Sequence, residues 1–101
     1  MTRVVVSPAA GDDLLHIVTY LATVAGPVIA DKWDRKVWKA IEDVAAYPGS
    51  GAPRPALGDN IRIIPVLPYV VIYEHVRGSG VLHLLRIVHG RRHASKDMLT
   101  S

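Results

Sequence analysis

Hydrophobic and polar positions divide this chain into a front part with helical spacing and a back part of short, dense apolar runs. Val4 to Val6 is a β-branched run closed by Ser7-Pro8, which predicts a short strand leading into a helix. Serine at the N-cap offers a hydroxyl to an orphan amide, and proline at the first helical position has no N–H to lose. Leu14, Ile17, Val18, Leu21 and Ala25 then recur on one face, giving a helix over about residues 8 to 24 that ends at Gly26-Pro27. Asp12 and Asp13 sit near the positive end of its dipole. A second helix runs from Pro27 to about Ala46, with Ile29, Trp33, Val37, Ala40, Ile41 and Val44 on one side. Lys32, Arg35, Lys36, Lys39, Glu42 and Asp43 lie mostly elsewhere. The short break between the two helices predicts an antiparallel hairpin. Trp38 points away from the apolar stripe, as a half-buried flank of the core or as an anchor for a partner.

Residues 47 to 60 hold Pro48, Gly49, Gly51, Pro53, Pro55 and Gly58, a density that neither a helix nor an inner strand tolerates. They predict a loop, long for so small a domain. Three strands follow, over Ile61 to Val66, Tyr69 to Val76 and Val81 to His89. The first is edge-like because Pro65 cannot donate to a ladder. Arg77-Gly78-Ser79-Gly80 makes a hairpin turn between the other two. Pairing Val76 with Val81 sets Glu74 opposite His83 and Val71 opposite Arg86. The predicted fold is α+β: an N-terminal strand, an antiparallel helix hairpin and three antiparallel strands (β-α-α-β-β-β) with a basic C-terminal tail, one domain over residues 1 to 101.

Alternation along these strands sorts Val70, Ile72, Val76, Val81, Leu85 and Ile87 onto one face. The other carries Val71, Leu82, Leu84 and Val88 with Tyr69, Tyr73, His75 and Arg86. Two helices cover one face of such a sheet, and lower polarity assigns them to the first. Apolar area then remains on the second, and contiguous exposed apolar area marks a partner site. The residues expected to meet that partner are Trp38, Tyr69, Val71, Tyr73, Leu82 and Leu84. A register slip of one residue would exchange the two faces.

Composition narrows the class. Half of the 101 residues are hydrophobic, enough for one core without staples, and the lack of cysteine excludes disulfides and thiolate metal sites. The start of the chain has too short an apolar run for a signal peptide. The longest apolar run, Ile63 to Tyr73, is broken by Pro65 and Pro68 and falls short of the roughly 20 residues that span a bilayer. A soluble, cytoplasmic protein is expected.

The net charge of +3 is unevenly placed: Arg86, Arg91, Arg92 and Lys96 lie in the last stretch of chain against the single acid Asp97. The segment Leu84 to His93 therefore starts as a strand that must be buried and ends in cations that must stay wet. A solvated tail and an edge for an acidic partner both fit this pattern. His89 and His93 have the spacing of helical zinc ligands, but Gly90 falls between them at a strand end and no carboxylate converges, so no metal is expected. No phosphate loop of Walker spacing occurs and no cofactor is expected. Arg54, Arg62, Arg86, Arg91 and Arg92 form a set suited to a polyanion, because guanidinium grips phosphate bidentately. RNA cleavage would further require a base and an acid, roles open to His89 or His93.

The ordered set Ser7-Pro8-Ala9-Ala10 with Asp13-Leu14, Tyr47-Pro48 through Gly51, Arg54, Leu57-Gly58, Ile61-Arg62, Tyr69 to Tyr73 and Leu84 to Arg92 resembles the RelE/ParE toxin superfamily of bacterial toxin–antitoxin systems. The likeness is greatest to its ParE branch and spans nearly the whole chain. The resemblance implies a compact α+β fold with an antiparallel sheet and a toxin neutralised by a ParD-like antitoxin in a hetero-oligomer. For the ParE branch it implies inhibition of DNA gyrase, and hence of replication, without catalysis. The target-binding region carried over is Arg86, His89, Arg91, Arg92, His93, Lys96 and Met98. RelE-like relatives instead cut messenger RNA on the ribosome. That alternative would use Arg62, Arg86, Arg91, Arg92 and His93, but the last tyrosine of this chain is Tyr73, so the tail offers none.

Overall fold

Ser7 turns the chain from strand to helix. Its hydroxyl accepts from the Ala10 amide at 3.0 Å and donates to the Leu85 carbonyl at 2.9 Å, so one side chain caps a helix and fastens it to the last strand. The computed structural model describes residues 2–90 and Leu99. Its elements are β1 (Arg3–Val6), α1 (Pro8–Ala25), α2 (Pro27–Ala46), β2 (Ala52–Pro53), β3 (Ile61–Val66), β4 (Tyr69–His75) and β5 (Val81–His89). Both helices open on proline, and Gly26 joins them at φ 94°, a conformation that side chains with a Cβ rarely adopt. No helix among the described residues is long and apolar enough to cross a membrane.

The sheet order is β1-β5-β4-β3-β2. The β3, β4 and β5 strands pair antiparallel as the turn chemistry predicts, with Glu74 opposite His83. The sheet as a whole is mixed, because β1 pairs parallel with β5, Arg3 beside Val81 through Val6 beside Leu84. That pairing is long-range and leaves no local signature in the sequence. The loop expected over residues 47 to 60 also contains β2, whose two residues pair with Arg62 and Ile63 and leave the Pro65 end of β3 uncovered.

Which sheet face the helices cover differs from the expectation. Ala10, Val37, Ile41 and Val44 pack onto Tyr69, Val71, Tyr73, Leu82, Leu84 and Ile87. The five strand residues expected to meet a partner, Tyr69, Val71, Tyr73, Leu82 and Leu84, are thus the interior of the fold. Polarity is a poor guide here because the hydroxyl of Tyr73 is satisfied internally. Ile87 also joins this side, against simple alternation. The cause is a β-bulge: Ile72 pairs with Arg86 and Tyr73 with Leu84, leaving Leu85 as an extra residue on β5. An inserted residue inverts the parity of everything beyond it. Val71 accordingly faces Ile87 rather than Arg86.

On the opposite face Leu57 of the long loop, Ile61, Ile72 and Val88 form a second, smaller cluster with Ile63, Val70, Leu85 and Leu99 packed against it. The chain itself therefore covers much of the side assigned to the helices. Ile29, placed on the α2 stripe by spacing, is exposed; Ala30 is the buried residue at that end.

Candidate functional site

Two stretches of surface have the character of a site: the outer side of the helix hairpin and the end of β5.

The hairpin encloses a groove of about 530 Å³ between α1 and α2, floored by Leu14, Val18 and Ala30 and flanked by Leu15, Asp31 and Trp38. Leu15 is 63% exposed and Trp38 37%, so large apolar groups stand open to solvent beside one another. Trp38 is where the sequence analysis placed it, off the core stripe. Of its neighbours, Leu14 and Val18 were assigned to the core face, and Leu15 and Ala22 were missed, although Leu15, Val18 and Ala22 recur at three and four residues and make a second apolar stripe on α1. Asp31, paired with Arg35 at 2.8 Å, and Asp34 give the groove an acidic rim.

At the other site Arg86 lies on the bulge. Its Nε and Nη2 donate to the Asp13 carboxylate at 2.7 and 3.0 Å, and the Ile87 amide donates to the same carboxylate at 2.9 Å. Both side chains are mostly buried, 13% and 15% exposed. Hydrogen bonding to Asp13 is the main cause that raises the Arg86 pKa, outweighing the opposing effect of burial. Arg86 was expected to belong to an arginine set lacking carboxylates; it is instead one half of an ion pair that holds α1 to β5. Asp13 was read only as a dipole partner.

Beyond Arg86 the strand delivers His89 to the surface, its ring edge-on to Tyr69 with centroids 5.9 Å apart. Tyr69 in turn packs edge-on to Trp33 at 5.7 Å, and Lys36 lies 4.7 Å from the Trp33 ring. Burial, with a smaller contribution from Tyr20, pushes the Tyr69 hydroxyl pKa up. Gly90 donates to the Pro68 carbonyl at 2.7 Å, fixing where the chain leaves the sheet. Arg91, Arg92, His93, Lys96 and Met98, the rest of the expected target-binding region, lie outside the described residues.

Arg62 is held elsewhere, its Nη1 donating to the Gly51 carbonyl at 2.7 Å. The Gly51 amide donates to the Tyr73 hydroxyl at 3.0 Å, which donates to the Pro48 carbonyl at 2.7 Å. Arg62 and Arg86 are therefore anchored to different partners on different strands. Tyr73, the last tyrosine of the chain, pins the long loop from inside the core. Among the described residues no cluster of histidine and acidic groups suits a metal ion.

A strand, a helix hairpin and a mixed sheet, with an apolar groove open on the hairpin, define a small α+β protein whose exposed features suit macromolecular contacts. The family model described as the ParE toxin of the type II toxin–antitoxin system, parDE, matches residues 4–94. The chain belongs to this family of toxins. A solved chain from the chromosomal ParDE toxin–antitoxin system of P. aeruginosa superposes with a TM-score of 0.72 at 22% identity, covering 88% of this chain and 96% of that one. At that identity the likeness establishes the shared fold. No curated protein matches the chain.

Proposed function

We propose that this toxin acts by binding rather than by catalysis, inhibiting DNA gyrase through His89 and the residues that follow it in the sequence, Arg91, Arg92, His93, Lys96 and Met98. A cognate antitoxin silences it by laying an apolar segment into the groove between α1 and α2, with Trp38 as an anchor. Membership in the ParE family supports a toxin with an antitoxin partner. The acidic rim of Asp31 and Asp34 favours an antitoxin segment whose apolar residues are flanked by lysine or arginine.

The observation that carries the binding reading over RNA cleavage is the Arg86–Asp13 pair. An arginine gripped through both Nε and Nη2 by a mostly buried carboxylate is a structural tie, and moving it onto a phosphate would strand the Asp13 charge at a cost of several kcal/mol. Tyr73 is likewise enclosed in the core. Both observations favour binding over work on RNA.

A supercoiling assay tests the reading. Purified toxin is expected to inhibit gyrase, and the antitoxin to restore activity. Replacing Arg91 and Arg92 with alanine is expected to abolish inhibition while the melting temperature stays unchanged. Lack of inhibition at saturating toxin, with codon-positioned cuts in translated message, would favour the ribonuclease.

A further inference from the structure

A polar pocket of about 360 Å³ lies away from both the hairpin groove and the end of β5, lined by Gly49, Asp59, Asn60, Arg62, His75 and Arg77. We propose that it binds a phosphodiester, the backbone group of a nucleic-acid strand. This inference does not depend on which target the toxin inhibits.

The pocket is built by three separate parts of the chain. Arg62 projects from β3 with its Nη1 fixed on the Gly51 carbonyl at 2.7 Å, which sets the plane of the guanidinium. One of its five N–H donors is thereby used, which leaves four for a ligand in the pocket that Arg62 lines. His75 closes β4, its amide donating to the Asn60 carbonyl at 3.1 Å, so the second wall is tied to the loop that carries Asp59. Arg77 follows at the start of the hairpin turn, exposed and within the same lining. A held guanidinium, a second arginine and a histidine lining one cavity match an oxyanion with several acceptor oxygens.

Asp59 decides the kind of oxyanion. It lines the pocket together with Arg62 and Arg77 and forms no ion pair with another described residue. The two arginines and the aspartate together leave a single excess positive charge. A phosphodiester carries one negative charge and balances it; a doubly charged phosphate monoester overshoots and meets repulsion from Asp59.

The full-length toxin, labelled for NMR, can be titrated at low salt with tetrathymidylate, tetrauridylate, dimethyl phosphate, inorganic phosphate and acetate. Both oligonucleotides and dimethyl phosphate are expected to move the Arg62 Nε–H and the amides of Asn60, His75 and Arg77. Oligonucleotide affinity at these resonances should fall with rising salt and fall roughly tenfold in Arg77→Gln, the loss of one charge-assisted contact. Asp59→Asn should let inorganic phosphate bind as well as the diester. The ratio of tetrathymidylate to tetrauridylate affinity identifies DNA or RNA as the source. Arg77 is exposed, so its variant tests the pocket without threatening the core. Shifts confined to other parts of the chain, affinity indifferent to Arg77→Gln, or acetate binding as tightly as dimethyl phosphate would overturn the proposal.

Discussion

Asp13 on α1 accepts two hydrogen bonds from the Arg86 guanidinium and a third from the Ile87 amide, all at the β5 bulge. A bulge leaves ladder groups unpaired, and here a helix supplies what the neighbouring strand does not. The hydroxyl of Ser7 completes the arrangement by donating to the Leu85 carbonyl. Asp13→Ala would leave a mostly buried cation and an amide without their acceptor, so it is expected to lower stability by about 3 kcal/mol or more. Arg86→Ala should also destabilise, and the double variant should lose much less than the sum. Denaturant unfolding of the four proteins measures this coupling; additive losses would show that the pair is incidental.

Tyr73 gives the fold a sensitivity to alkali. Burial is the largest influence on its hydroxyl and raises its pKa, with the Gly51 amide and Arg62 acting in the opposite direction. The folded state therefore holds the proton more tightly than the unfolded chain. The resulting stability is present in full below the ordinary tyrosine value of about 10 and is lost as pH rises through the higher folded value. Tyr73→Phe should cost about 1 to 3 kcal/mol at neutral pH, because the Gly51 amide loses its acceptor and the Pro48 carbonyl its donor. The variant should also lose less stability than the parent between pH 9 and 11, on the order of the range where tyrosine titrates. Thermal melts across that range provide the measurement.

Gly51 admits no side chain. An added Cβ would collide with the Tyr73 hydroxyl and lie 2.8 Å from its Cε1 and 2.9 Å from the Ile63 carbonyl oxygen. Gly51→Ala is expected to destabilise by about 1 to 3 kcal/mol through overpacking. Gly49→Ala, which meets nothing within 4 Å, should be close to neutral. Equal melting temperatures for the two variants would refute the packing account.

The hairpin groove should be separable in function from the C-terminal stretch proposed to bind gyrase. Trp38→Ala removes the half-exposed aromatic proposed as the anchor and is expected to weaken antitoxin binding by about 2 kcal/mol or more, as loss of central aromatic contacts commonly does. Leu15→Arg should act in the same direction with little change in folding stability. Calorimetry with the antitoxin reads the loss, and a supercoiling assay should show that inhibition of gyrase survives in both variants. Unchanged antitoxin affinity would move the antitoxin site off the hairpin.

Local order was legible in the sequence because it depends on nearest neighbours. Ser7-Pro8 and Gly26-Pro27 fixed the helix limits, alternation and Gly78-Ser79-Gly80 fixed the β4–β5 hairpin, and Gly-Pro density marked the loop. The family likeness carried by these ordered pieces was legible for the same reason. Trp38 stood out as an apolar residue off its stripe, and the structure puts it on the groove. Which face of the sheet the helices cover was decided only by the tertiary structure. One inserted residue, Leu85, inverts the strand's parity, and its position follows from Ser7 and Asp13, more than seventy residues distant along the chain. Alternation cannot register such a contact, so the sequence misplaced Ile87 and Val88 and left Arg86 without its carboxylate; Tyr69, Val71, Tyr73, Leu82 and Leu84 it grouped together but assigned to the uncovered side on polarity, because it could not show that the Tyr73 hydroxyl finds its partners inside the fold.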